Sequence, residues 1–280
     1  MILPNFLIIG AAKAGTTSLY EYLRQHPEIY LTPTKETNYF SLVGQAPDYP
    51  GPGDQEYISR FSVTTPEGYQ EQFRGVCGQR AIGEASPLYL YDAQTPQRIR
   101  QALPGVRLIA VLRHPVERAY SAFAHLVRDG RETASGFACA LDQEDARVAA
   151  GWEHIWHYAR MGLYGEQLER YFQLFPHDQL RVYLHEDLLT RPQDVLVDIL
   201  RFLEVDPGVV LDLSTQHNVA GSGLAHLPPL LPEVRAALGK RCQEDLGKLQ
   251  DLLGRDLSTW LTPAAVGSRD GRTDHDPGVG

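Results

Sequence analysis

The stretch that most restricts how this chain can fold is FLIIGAAKAGTTSLYEYL, residues 6–23. The apolar run at residues 5–9 reads as a strand buried on both faces, as in parallel sheets, and Gly10 closes it. From Thr16 the pattern becomes helical, with Leu19, Tyr20 and Leu23 on one side, ending near QHPE. Between strand and helix, Gly10 and Gly15 keep the spacing of the triphosphatase phosphate loop, G-x-x-x-x-G-K-[ST]. The lysine is displaced, however. Thr16 stands directly after the second glycine, and Lys13 lies inside the loop. A strand, a glycine loop and a helix in this order aim backbone N–H groups and a positive helix end at one phosphate. Thr16, Thr17 and Ser18 add hydroxyls, and Lys13 supplies the loop's full positive charge. The rival reading is an ordinary glycine-containing turn with a solvated lysine; the flanking strand and helix and the G-T-T run weigh against it.

Further along, RAIGEASPLYLY holds a second strand ending near Gly83, VRLIAVLRHP a third over Arg107–Leu112, and DQLRVYLHEDL another over Leu180–Leu184. A helix opens with Pro115 in its first turn, where the missing N–H costs little, and repeats Val116, Ala119, Tyr120, Phe123 and Val127 at helical spacing. YGEQLERYFQLFP, RPQDVLVDILRFLEV and CQEDLGKLQDLLG are further helices, and YPGPGD marks a surface excursion. Strands alternating with helices predict a single-domain, three-layer α/β fold of P-loop type over residues 1–262, a central parallel β-sheet with helices on both faces. The polar, Gly-rich residues 263–280 are expected to be a disordered tail. In such sheets ligands sit beyond the carboxyl ends of the strands. Two of those ends, the Gly10 loop and RHP at Arg113, carry residues compatible with an anion.

Composition narrows the partners. The 280 residues are 43% hydrophobic and 22% charged, with a formal net charge of -9, which argues against a nucleic-acid or anionic-membrane surface. An anion site must therefore be a local concentration of positive groups. Cys77, Cys139 and Cys242 are scattered without a C-x-x-C, which points to reduced thiols, no zinc site and a cytoplasmic location. The apolar start has no basic flank and is too short to span a bilayer, so no membrane anchor is expected. His125, His154 and His157 lack metal-ligand spacing and read as structural.

Two more stretches carry chemistry. In LRHPVERAYSAF, Arg113 leaves a strand end and Ser121 lies on the next helix; an arginine fork with a nearby hydroxyl suits a terminal phosphate. The other reading makes Arg113 a cap of the sheet edge and Ser121 a surface residue. Arg118 reads as an ion-pair partner of Glu117 or Glu84. In TPTKETNYF, Glu36 is a carboxylate close to a phosphate loop, a placement that suits a base or a metal ligand. Its other reading is a solvated pair with Lys35.

Together KAGTTSL, LRHPVERAYSAF and KETNYF resemble the sulfotransferases that use 3′-phosphoadenosine 5′-phosphosulfate, in their heparan-type and related bacterial branch. YLHEDLLTRPQDVLVDILRFL and LLGRDLSTWL resemble that branch's C-terminal half, so the likeness covers most of the chain. The resemblance implies that Ala12, Lys13, Ala14, Gly15, Thr16, Thr17 and Ser18 hold the 5′-phosphosulfate and that Arg113 and Ser121 hold the 3′-phosphate. Lys13 then stabilises charge on the departing 5′-phosphate, and Glu36 takes the proton from an acceptor hydroxyl on a carbohydrate, lipid or small metabolite. The donor has no γ-phosphate and needs no metal, so the usual lysine position can be vacant. One departure concerns the acceptor: GEASP puts Ala85 where heparan enzymes carry lysine, which weighs against a polyanionic glycan. HNVAGSGLAHLPP stands where the family has a loop over the 3′-phosphate, with Asn218, Gly221 and Ser222 as candidates and a plain surface loop as the alternative. Residues 41–78 and 130–161 are expected to line the acceptor cleft. Their aromatics Tyr49, Tyr57, Trp152, Trp156 and Tyr158 either stack on the acceptor or fill the core. The rival functions are a magnesium-dependent P-loop kinase, which wants a lysine beside Thr17 and an aspartate at a strand end, and a non-catalytic nucleotide-binding module.

Overall fold

Alternate residues of the first strand belong to two different cores. Leu7 and Ile9 pack on one side of β1 (Phe6–Gly10), Phe6 and Ile8 on the other, and all four are fully buried. A strand apolar on both faces belongs inside a sheet that is covered twice. The computed structural model describes residues 2–214, 227 and 230–260. It places β1 at the centre of a five-stranded parallel sheet of order β2-β3-β1-β4-β5. The other strands are β2 (Ile29–Leu31), β3 (Ala81–Ala85), β4 (Arg107–Leu112) and β5 (Leu180–Leu184).

The helices that matter for the site and the two cores are α1 (Thr16–Leu23), α2 (Pro115–Arg128), α3 (Tyr164–Phe172), α4 (Pro192–Phe202) and α5 (Pro232–Leu253). Leu19 and Leu23 of α1 and Leu196 and Ile199 of α4 cover one face of the sheet with Phe6 and Ile8. Val116 and Phe123 of α2, Leu168 of α3 and Leu246 of α5 cover the other with Leu7 and Ile9. The three-layer arrangement is the one the alternating pattern predicts.

β4 and β5 have the expected bounds. β1 and β3 each run to a later residue, Gly10 and Ala85, because their last residues pair with neighbours on the central strands. β2 was not expected. Three residues are too short to show a period, and this edge strand exists through its pairing with β3, Ile29 against Ala81. On α2, Tyr120 and Val127 are only half-buried, whereas burial extends to Arg118, Ala122, Ala124 and Leu126.

Arg118 corrects an expectation. It is completely buried and donates to the Tyr158 carbonyl and to the Met161 sulfur, not to Glu117 or Glu84. Glu117 pairs with Arg235 instead, and Glu84 is held by hydroxyls. The segment His154–Trp156 and its continuation to Gly162 lie over the inner side of α2 and take Arg118 out of water. Among the described residues no helix is long and apolar enough to cross a membrane. The expected tail, residues 263–280, and the candidates Asn218, Gly221 and Ser222 lie outside the described residues.

Candidate active site

The pairing register between β1 and β4 shifts between Ile8 and Gly10, where the chain turns out of the sheet. A Cβ on Gly10 would stand 2.6 Å from the Cβ of Leu90, so the strand end is closed to larger residues. Lys13 and Gly15 both adopt the left-handed region, at φ 66° and 96°. Gly15 is the N-cap of α1, and no side chain caps that helix. The N–H groups of its first turn therefore have no partner within the helix and face outward with the positive end of the dipole. The Ala14 side chain is fully buried and its N–H donates to the Ala11 carbonyl at 3.2 Å, which folds the loop back on itself.

Beyond the strand ends lies a cavity of about 190 Å³. It is lined by Ala12, Lys13, Gly15, Thr16, Thr17 and Ser18 of the loop, by Glu36, and by Arg113 and Ser121. Of the residues assigned from the sequence to the phosphate loop, to Arg113 and Ser121 and to the base, all but Ala14 line this one space. Arg113 follows the last residue of β4, and its carbonyl accepts from the Tyr164 hydroxyl at 3.0 Å. Its guanidinium donates to the Lys13 carbonyl at 3.3 Å and so ties the end of β4 to the loop after β1. Neither Lys13 nor Arg113 forms an ion pair among the described residues. Two unpaired cations beside a helix N-terminus make an anion-binding geometry.

Burial, with the nearby charge of Arg128, lowers the Lys13 ammonium from its ordinary 10.5 to about 8, and Glu36 opposes the shift. The lysine is thus charged at neutral pH but held in a site that disfavours its charge until an anion arrives. The negative charge of Glu36, followed by burial, raises the Tyr57 phenol, which places Tyr57 and Glu36 against the same space.

Glu36 is itself held in the left-handed region at φ 67°, and its N–H donates to the Ala85 carbonyl at 2.9 Å. Its carboxylate contacts Lys35, so the pairing read from the sequence exists, and the same carboxylate also lines the cavity. The backbone around it is fastened from β3. Glu84 is completely buried and accepts four hydroxyls: Thr37, Ser86 at 2.9 Å, Tyr69 at 2.9 Å and Tyr89 at 2.6 Å. Burial raises its carboxyl above the ordinary range, and these hydroxyl bonds pull the other way. The Ser86 hydroxyl also accepts the Asn38 N–H at 3.0 Å. Both residues after Glu36 are therefore anchored to the end of β3.

Sequence reasoning did not place His125, Arg128 or His185 in this cavity, which they line, and Ile155, from the expected stretch 130–161, lines it too. His125, read from the sequence as structural, lies in the cavity wall. Ser121, His125 and Arg128 are spaced i, i+4 and i+7 on α2, and this single helical face was the signal available. Burial and the charge of Lys13 push the His125 imidazole down to about 4, and burial with Arg113 pushes His185 to about 4. Both rings are neutral at pH 7 and add no charge. His185 follows β5 and packs on Gly15, where a Cβ would meet its Cδ2 at 2.9 Å. Of the aromatics named for the acceptor cleft, Tyr57 lines the cavity, whereas Trp156 and Tyr158 are fully buried in the core.

A glycine loop between a central strand and a helix, with a second cation from the neighbouring strand end, defines a phosphate-binding α/β protein. The chain belongs to the sulfotransferase family, whose sequence pattern matches residues 4–207. It is similar to a sulfotransferase from Alicyclobacillus acidocaldarius of known structure, 39% identical, covering 94% of this chain and 100% of that one, with a TM-score of 0.85. It is also similar to the membrane-associated sulfotransferase kil1 of Dictyostelium discoideum, 23% identical over 92% of this chain and 66% of the relative. To heparan sulfate glucosamine 3-O-sulfotransferase 5 of Mus musculus it is 25% identical, over 74% of this chain and 55% of the relative. The chain thus spans less than two thirds of the length of these curated relatives.

Proposed function

We propose that the protein transfers a sulfuryl group from 3′-phosphoadenosine 5′-phosphosulfate to an acceptor hydroxyl, with Glu36 as the base. The observation that carries this reading is the convergence of Lys13, Arg113 and Glu36 on one cavity, the two cations without ion pairs among the described residues. The loop N–H groups, Thr16, Thr17 and Lys13 suit the 5′-phosphosulfate. Arg113 and Ser121, one strand over, suit a second phosphate on the ribose. In the reaction the acceptor oxygen bonds to sulfur as the bond from sulfur to the 5′-phosphate oxygen breaks. The acceptor proton goes to the Glu36 carboxylate, and Lys13 meets the charge that grows on the leaving phosphate. Positioning and charge stabilisation supply the acceleration. Cys77, Cys139 and Cys242 are free thiols, which supports a reducing, cytoplasmic setting as part of the same proposal.

Calorimetry with 3′-phosphoadenosine 5′-phosphate tests the donor assignment. Binding that is equal with and without magnesium is the expected result. Binding that requires magnesium, or that favours adenosine triphosphate, points to phosphoryl transfer and contradicts it.

A further inference from the structure

Past Glu36 the cavity continues into a smaller pocket of about 50 Å³. It shares Ala12, Glu36, Tyr57, Pro87, His125 and Ile155 with the anion cavity but has none of Lys13, Thr17, Ser18 or Arg113 in its wall. A space of this size takes on the order of four water-sized spheres, a short chain or the edge of one ring. Ile58, Met161, Glu153 and Arg131 in its wall are buried, at 2%, 4%, 7% and 9% exposed.

The chemistry of the wall narrows the occupant further. Ile58, Leu88, Ile155 and Met161 give it an apolar body, with the Tyr57 ring beside them. The cation in the wall, Arg131, is engaged by Asp54 and lies over the Tyr57 ring at 5.4 Å. Two carboxyl groups, Glu36 and Glu153, border the pocket. An anionic acceptor would lose its hydration among these apolar side chains and stand beside Glu36, with Lys13 and Arg113 outside this wall.

We propose that this small pocket is the acceptor subsite and that it takes a compact, uncharged alcohol with an apolar body, whose hydroxyl rests at Glu36. The proposal depends on the sulfuryl-transfer reading and names its acceptor class. Transfer converts the alcohol to its sulfate monoester, the proton passing to Glu36 and 3′-phosphoadenosine 5′-phosphate leaving. The product carries a charge that the pocket walls do not match, which favours its release.

The test uses the full chain, radiosulfate-labelled donor and two acceptors, 2-phenylethanol and an unsulfated heparosan hexasaccharide. The expected result is a kcat/KM at least tenfold higher for 2-phenylethanol. Leu88→Phe fills the pocket outside the anion cavity, so it should lower that kcat/KM at least tenfold, mainly through KM, with 3′-phosphoadenosine 5′-phosphate affinity unchanged. Leu88→Ala widens the pocket and should shift preference at least fivefold toward the bulkier 2-(2-naphthyl)ethanol; it reads the same wall if the phenylalanine variant does not fold. Preference for the hexasaccharide, no transfer to 2-phenylethanol, or indifference to the Leu88 changes overturns the acceptor class. With wild-type nucleotide binding intact, those results leave sulfuryl transfer standing. Wild-type protein that fails to bind 3′-phosphoadenosine 5′-phosphate takes down both.

Discussion

The hydroxyl of Thr37 donates to the completely buried carboxylate of Glu84, one residue away from the proposed base and across from a different strand. That bond, with those of Ser86, Tyr69 and Tyr89, ties the segment after β2 to the end of β3. Glu36 and Asn38 both hold positive φ, 67° and 50°, a conformation that persists when the surroundings over-determine it.

Loss of this anchoring should therefore appear in turnover. Glu84→Gln keeps shape but offers one acceptor oxygen where two served, so at least one buried hydroxyl loses a good partner, at about 1–3 kcal/mol. The expected outcome is a fall in kcat of about tenfold with nucleotide affinity retained. Thr37→Val should act in the same direction and Thr37→Ser should restore the rate. Steady-state kinetics beside a melting curve checks this; a lowered Tm with unchanged kcat at 25 °C makes Glu84 a stability residue alone.

Arg113 is expected to discriminate between nucleotides. A charge-assisted bond to phosphate is worth about 1.5–3 kcal/mol, so Arg113→Ala should weaken 3′-phosphoadenosine 5′-phosphate by roughly 10- to 100-fold. Adenosine 5′-phosphosulfate, which has no 3′-phosphate, should change little. Equal losses in calorimetry would mean that Arg113 acts through its bond to the Lys13 carbonyl, as a support of the loop.

Lys13 sets a pH signature. Its ammonium titrates at about 8 in the free protein, and a bound phosphate raises that value by favouring the charged form. Affinity for 3′-phosphoadenosine 5′-phosphate should be level below pH 8 and fall as pH rises above it, by up to tenfold per unit. Binding isotherms from pH 6.5 to 9.5 check the sign, and Lys13→Ala should flatten the decline. A decline that persists in the alanine variant assigns the titration to another group.

How far the sequence could be read depended on whether a signal was local. β4 and β5, each a run of apolar residues in one stretch, were legible to the residue, and the glycine loop announced both its strand and its helix. β2 was not legible, because three residues carry no period and the strand is defined by Ala81 beside Ile29. Arg113, Ser121 and Glu36 were legible as motif residues, and the fold brings them to one cavity from the segments after two different strands, β4 and β2. His185 was not, since it reaches the cavity from a stretch whose own pattern says nothing of the loop, whereas Ile155 was covered only by the broad expectation for residues 130–161. Arg118 was misread for a related reason: its burial comes from the segment around Tyr158, which lies forty positions further along the chain.

The central claim is tested most directly at Glu36. An alkyl or sugar hydroxyl is too weak an acid to ionise at neutral pH, so a proton acceptor is needed where the oxygen attacks sulfur. Glu36→Gln keeps size and burial and removes that acceptor, and the partly exposed pair with Lys35 is worth under about 1 kcal/mol. The measurement is single-turnover transfer of radiosulfate from the labelled donor at saturating acceptor, wild type against Glu36→Gln, with nucleotide affinity and Tm recorded on the same samples. A fall in rate of about 100-fold or more, at unchanged affinity and Tm, is the predicted result. A rate within a fewfold of wild type would contradict the account and leave Glu36 as the surface partner of Lys35.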